Sequence, residues 1–427
     1  MINPSLAFTP AQVIDDPERF AGRHRELQEL AEALDIPGGH IMVYGNRGIG
    51  KSSLAQQLML MAQGHATLIE RLEHKPFTEF DYLPVYIQCD DYITNIQDLI
   101  VRLLTTDTGL SEWIPYKIKQ VEGSSSLGGS LSFEILKLEG KSDAKIIESR
   151  PDITSDVMPL FFNALNSITN AGIAKSGVLI VVDEFDRVAD RSGLASVLKS
   201  LDSRIKFALV GVSTNVAELI GEHESVARQF TGGCVKVDPM SPTEISDLFD
   251  RAELVLDNEV TFPTETRAYI SSLAKGHPFL VHLLGRSSTI SAIRRSSQIV
   301  EVSDAKDALS EIAVKGTAPI QEGTYKQAVA HSYTREIVLK EFSFVDDEEI
   351  HTTVVYQKIA EKLGMKDPAA ISVYMGHLTS ERYGRVLERT KDRYYRFRDS
   401  LFKAYAASCP LLHNPNAIES EPANDED

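Results

Sequence analysis

Residues 40–44, His-Ile-Met-Val-Tyr, are an apolar run of strand length that passes directly into Gly45-Asn46-Arg47-Gly48-Ile49-Gly50-Lys51-Ser52 and then into the helix-forming SLAQQLMLMA. This is G-x-x-x-x-G-K-[ST] in strand–loop–helix register, and few short segments restrict a chain more. The glycines are required because the loop must wrap phosphates closely enough for its backbone N–H groups to donate. The helix that follows aims the positive end of its dipole at the same place. In such a loop Lys51 reaches the β- and γ-phosphates and the Ser52 hydroxyl coordinates Mg²⁺, with Gly45 to Ser53 as the nucleotide-binding stretch. ATP and Mg²⁺ are the expected ligands.

A phosphate loop needs a sheet beneath it, and further apolar runs supply one. LPVYI at 83–87, GVLIVV at 177–182, FALVGV at 207–212 and VKV at 235–237 alternate with helical patterns. Continuous apolar strands separated by helices imply a parallel sheet buried on both faces, an α/β P-loop nucleotide-hydrolase core. GVLIVV ends in Asp183 and Glu184. A carboxylate at the end of such a strand needs a cation: Asp183 is expected to hold the magnesium, and Glu184 to take a proton from the water attacking the γ-phosphate. The competing reading makes both acids caps of the next helix. Asp186 is expected to face solvent. FALVGV ends in Ser213, Thr214 and Asn215, one of which is wanted to orient water or touch the γ-phosphate.

Composition limits what the rest can do. The formal net charge is −17 over 427 residues, which argues against coating nucleic acid or anionic lipid by bulk electrostatics. Any nucleic-acid contact has to be local. Cys89, Cys234 and Cys409 lie far apart with no metal-ligand spacing, so neither a disulfide framework nor a zinc site is expected. There is no signal-like start and no long uninterrupted apolar run, so the expectation is a cytoplasmic protein without a membrane partner.

Along the chain the expected organisation is a P-loop core over 1–240, a helical lid over 241–320, a winged helix over 321–408 and a disordered acidic tail over 409–427. An insertion at about 112–150 contains KIKQVEGSSSLGGSLSFEILKLEG at 117–140, read as a β-hairpin around a Gly/Ser turn: a surface decoration or a partner-contacting flap. The first few residues carry little pattern. The lid opens at Ser241 with a capping box to Glu244. Near Tyr325 a helix running through Leu339 leads to HTTVVYQKIAEKLGM, DPAAISVYMGHLTSE and the strand-like RVLERT and RYYRFR, the order of a winged helix.

With these residues in place the chain resembles the AAA+ superfamily, in the branch that holds the origin-recognition initiators and the archaeal-type, STAND-like signalling ATPases. Phe20-Ala21-Gly22-Arg23 with Glu26 and Leu27 is similar to the segment that the family sets beside the adenine. Thr214 stands in the place of sensor 1. Ser225-Val226-Ala227-Arg228 resembles the arginine-finger segment, and Gly276-His277-Pro278 the GxP turn of the lid. The resemblance implies that Arg23 and Pro278 contact the nucleotide. It also implies that Arg228 enters a neighbouring subunit's site in a homo-oligomer; the alternative is an ordinary helix-end arginine. Arg286 is a candidate for sensor 2.

Two functions follow from the C-terminal region. One is an ATP-hydrolysing switch that oligomerises and acts on DNA through the winged helix, whose wing carries Arg382, Arg385, Arg389, Lys391, Arg393, Arg396, Arg398 and Lys403. The other is a STAND-like signalling or defence regulator whose winged helix and insertion bind a protein partner. It is favoured by the net charge, by a recognition helix with no Arg or Lys, and by the GxP turn, while Glu381, Glu388, Asp392 and Asp399 offer a reading of the wing as a solvated ribbon of paired charges.

Overall fold

The apolar runs become strands because each is flanked by helices able to cover it. In the computed structural model, which describes residues 3–113, 117–121, 146–149, 157–213, 215–220, 224–315, 319–345, 347 and 349–413, the strands in chain order are β1 (Ile41–Gly45), β2 (Tyr82–Gln88), β3 (Lys117–Val121), β4 (Ile146–Ser149), β5 (Gly177–Asp183), β6 (Ile205–Val212), β7 (Cys234–Val237), β8 (Ile350–His351), β9 (Leu387–Lys391) and β10 (Tyr394–Phe397). Contacts divide the chain into two compact units. One comprises His24–Gly45 and Leu54–Lys236; the other comprises the segment up to Arg23, Asn46–Ser53 and the chain from Val237 onward.

The first unit is built on a five-stranded sheet of order β2-β5-β6-β1-β7, with β2–β5, β5–β6 and β6–β1 parallel. Every residue of β5 is buried, which requires cover on both faces and accounts for its unbroken apolar sequence. Leu99, Ile100 and Leu103 of the helix Ile96–Thr105 and Phe161 and Leu165 of the helix Val157–Ala171 share the core with Ile180 and Leu209. Two polar staples fix the bottom of the sheet. His40 Nδ1 accepts the Phe207 N–H at 3.1 Å. Lys206, 1% exposed, donates to the carbonyls of Ala33, Ile36 and Gly39 and so caps the end of the helix His24–Asp35.

Of the hairpin expected over 117–140, Lys117–Val121 is described and, as β3, pairs antiparallel with β4, from Val121↔Ile146 to Lys117↔Ser149; the Gly/Ser turn and the arm expected beyond it lie outside the described residues.

The second unit is helical apart from a small sheet. Its N-terminal residues, expected to carry little structure, are part of its core: Phe8 is fully buried and meets Phe262 and Phe249 edge-on at 5.6 and 6.1 Å. Ser241 caps the helix Pro242–Val255 with the anticipated box, its backbone N–H donating to Glu244 Oε2 at 2.8 Å. The single helix expected through Leu339 is two, Pro319–Val329 and Tyr333–Ser343, because Ala330 turns to φ 43° and Ser332 starts a new helix by accepting the Arg335 N–H. The helices Thr352–Leu363 and Ser372–Leu378 lie between β8 and the β9–β10 ribbon, which pair in an antiparallel sheet of order β8-β10-β9 with one strand more than the sequence suggested. The helix Ser400–Ser408 closes the unit, inside the same apolar core as Leu280, Leu283 and Leu284.

Residues 409–413, the first of the stretch expected to be disordered, are held by the second unit. Cys409 is 5% exposed, and Glu336 Oε1 accepts the Leu412 N–H at 2.7 Å while its Oε2 accepts the His413 N–H at 3.0 Å. Residues 414–427 lie outside the described residues.

Candidate nucleotide site

The phosphate loop starts where β1 ends. Gly45, Gly48 and Gly50 take φ values of 157°, 71° and 98°, and the last two are conformations that side-chain-bearing residues seldom adopt. Lys51 opens the helix Lys51–Ala62, is 8% exposed and donates from Nζ to the Asn46 carbonyl at 2.8 Å, closing the loop on itself. Ile49 is buried, Arg47 is exposed and Ser52 is half-buried. The Ser53 hydroxyl accepts the Ile14 N–H at 3.0 Å, so it anchors the N-terminal segment.

Arg23 is placed to shape this loop. It is 4% exposed; Nη2 donates to the Ile49 carbonyl at 2.7 Å and Nη1 to the Asp238 carbonyl at 2.6 Å. Its own N–H donates to Glu244 Oε1 at 2.8 Å and that of Gly22 to Asp247 Oδ2 at 2.7 Å. Burial by itself would raise the Glu244 carboxyl; the backbone donors of Ser241 and Arg23 reverse this and hold it below the usual carboxylate range. The Phe-Ala-Gly-Arg segment is therefore tied to the capping box of the first lid helix, a link the sequence did not reveal. Pro278, at the first turn of the helix Pro278–Arg294, has Cγ 3.8 Å from where a Cβ on Gly50 would stand. His277 stands at the N-cap position of that helix without a side-chain capping bond, is 2% exposed, and is pushed down to about 4 by burial and then by the Arg23 charge. Arg286 donates to the Ser5 hydroxyl at 2.9 Å.

The acidic pair lies at the end of β5, on the same edge of the sheet as Gly45 at the end of β1. Asp183 is 2% exposed; Oδ2 accepts the Tyr86 hydroxyl at 3.1 Å and Oδ1 the Glu184 N–H at 2.8 Å. Glu184 sits at φ 55°, and its carboxylate is held by Gln88 Nε2 at 3.1 Å and by Arg187 Nε at 2.5 Å. A non-glycine residue in the left-handed region at a strand end is a feature that clusters at working sites. Burial and then the Asp183 charge raise the Tyr86 hydroxyl, and the same two causes push the Cys89 thiol up to about 12. The neighbourhood is thus strongly anionic and suited to a cation. No group of three or more His, Cys, Asp or Glu able to hold a metal occurs among the described residues.

Asp186, expected in solvent, instead accepts the Val212 N–H at 2.7 Å and fixes the turn to the end of β6. Ser213 is 4% exposed and donates to the Asn215 carbonyl at 2.6 Å, while Asn215 Oδ1 accepts the Glu218 N–H. Thr214 lies outside the described residues. Arg228 is exposed in the turn Arg228–Phe230. Tyr86, Gln88 and Arg187 were missed by sequence reasoning. Gln88 alone left a signal there, as the polar residue ending an apolar strand.

Residues 19–210 match the AAA ATPase domain family. No curated protein sequence matches the chain. Among solved structures, the Walker-type ATPase PABY2304 of Pyrococcus abyssi is similar over 93% of this chain and 98% of its own at 16% identity and TM-score 0.50. The Aeropyrum pernix ORC2 protein is similar at 15% identity and TM-score 0.48, over 94% of this chain and 98% of its own. Cdc6p of Pyrobaculum aerophilum is similar at 14% identity and TM-score 0.45, over 96% and 97%. No helix among the described residues is long and apolar enough to cross a membrane. The chain therefore carries the parallel α/β fold of the P-loop nucleotide hydrolases, and the part of it over residues 19–210 is similar to the AAA ATPase domain family.

Proposed function

We propose that this chain is a Mg²⁺-dependent ATP-hydrolysing switch. The observation that carries the reading is that Gly45, where the glycine loop leaves β1, ends on the same edge of one sheet as the buried Asp183 and the constrained Glu184 at the end of β5. In this reading the loop amides and Lys51 bind the phosphates, Ser52 and Asp183 hold the metal, and Arg23 keeps the loop in shape. Magnesium, when bound, neutralises phosphate charge and orients the terminal phosphoryl group. Glu184 then holds the proton of the attacking water, for which its carboxylate has to leave Gln88 and Arg187. Arg228, exposed at a turn, supports the role of a finger completing the site of a neighbouring copy, with Thr214 as the residue that orients water. The expected test is phosphate release by wild type and Glu184→Gln. The variant retains ATP binding and loses at least about 100-fold in turnover; equal rates would remove Glu184 from the reaction. Lys51→Ala abolishes tight ATP binding, and an unchanged affinity would contradict the loop assignment.

The C-terminal region is read as a winged helix, supported by two helices that lie in the chain between β8 and the β9–β10 ribbon of one antiparallel sheet. Its wing cations already have partners: Arg385 with Glu381 at 3.0 Å, Arg389 with Asp392 at 2.5 Å, Lys391 with Glu349 at 2.7 Å, and Arg396 with Glu388. Phosphate has to compete with these acids, which favours a protein-facing output of the signalling kind. The DNA-acting reading rests on Arg393 at the exposed tip, whose side chain is 69% accessible and only loosely paired, with Asp392 at 3.9 Å. Anisotropy of labelled duplex DNA across a salt series separates the two, a slope of several counterions supporting DNA and a flat line opposing it.

A further inference from the structure

We infer that Leu401, at the start of the C-terminal helix, is a positioning residue for the phosphate loop and ties nucleotide binding to the C-terminal body; this rests on the ATP-binding reading above. Gly48 stands in the middle of the loop at φ 71°, and the isopropyl head of Leu401 covers its bare face. Cδ2 lies 2.9 Å, Cγ 3.6 Å and Cδ1 3.7 Å from where a Cβ would stand. Leu401 is 4% exposed, and its direction is fixed because Asp399 Oδ1 accepts its N–H at 2.8 Å and that of Phe402 at 3.2 Å. Three consecutive loop residues are thus held by three separate segments of the same compact unit: Gly48 by Leu401, the Ile49 carbonyl by Arg23, and Gly50 by Pro278.

The helix behind Leu401 has no slack. Tyr405 meets Tyr325 edge-on at 6.2 Å, Leu401, Phe402 and Tyr405 lie in the core with Leu280 and Leu284, and Lys340 donates to the Cys409 carbonyl at its end. Close-packed interiors transmit a displacement rather than absorb it. A loop whose glycine is already seated needs less ordering when phosphates bind, so the Leu401 contact strengthens nucleotide affinity. By linkage, nucleotide then strengthens the contact by the same factor. The C-terminal helix is in this way a reader of loop occupancy, and any partner that pulls it away weakens ATP binding.

Two measurements on the full-length protein test this. In titrations with a fluorescent ATP analogue and Mg²⁺, Leu401→Ala binds about tenfold more weakly and Leu401→Met stays within about twofold of wild type. Unchanged or tighter binding by Leu401→Ala overturns the inference. In wild type, amide exchange over residues 401–408 slows when MgATP is added. Equal exchange with and without MgATP, in a protein shown by the titration to bind it, overturns the inference and leaves the ATP-binding reading standing. A wild type that binds no nucleotide removes the reading itself. If Leu401→Ala does not fold, the wild-type exchange result decides.

Discussion

His40 makes the sheet unit sensitive to mild acid, by an amount the structure fixes. It is 2% exposed between Phe207 and Phe230, with ring centroids 6.2 and 5.9 Å away, and its Nδ1 is committed as acceptor of the Phe207 N–H. Burial lowers its pKa from the ordinary 6.5 to about 4; the Leu198 backbone opposes the shift and the Lys206 charge adds to it. A histidine with a lowered folded pKa contributes stability that is fully present above 6.5 and is lost as pH falls toward 4, because the unfolded chain takes up the proton first. Integrating between those two values, the loss between pH 7 and pH 5 is about 2 kcal/mol. The chain has a single tryptophan, Trp113, which packs against the sheet core, so its fluorescence follows this unit alone. Urea unfolding read at Trp113 shows the loss in wild type. In His40→Asn, whose Oδ1 stands where Nδ1 stood, the stability at pH 7 is lower, and the slope attributable to this site disappears. Parallel pH profiles for the two proteins would refute the reasoning.

Other consequences are nearer the loop and the tail. Arg23→Ala strands the Ile49 and Asp238 carbonyls and destabilises the protein by about 2–4 kcal/mol, with Arg23→Lys recovering only part because it cannot fork between the two. Circular dichroism during urea unfolding measures both, and a cost within error of zero would show that Arg23 does not organise the loop. Glu336→Ala removes the acceptor of the Tyr325 hydroxyl at 2.8 Å and of the Leu412 and His413 N–H groups. It is expected to lower stability by about 2–4 kcal/mol and to expose the chain after Cys409 to protease; an unchanged digestion pattern would contradict the clamp.

Much of this protein is legible in one dimension. Residues 45–52 and the strand ending in Asp183 and Glu184 have local reasons to be what they are: a loop that must approach phosphate needs glycine, and a strand buried on both faces needs an apolar run. The Ser241–Glu244 box is equally local, with both partners inside one helical turn. What the sequence could not decide was who else holds these residues. Asp186 reads as solvent-facing until β6 brings the Val212 N–H to it, and nothing in the sequence around Arg23 shows that Ile49 and Asp238 present carbonyls to its guanidinium. The N-terminal Phe8 and the tail residues Leu412 and His413 look patternless because their partners, Phe262 and Glu336, are distant in sequence. The wing arginines changed most in meaning. Their charges and their neighbouring acids are plain in the sequence, but only the packed sheet brings Arg396 to Glu388 and Lys391 to Glu349, because those partners are apart along the chain and meet only when the strands pair.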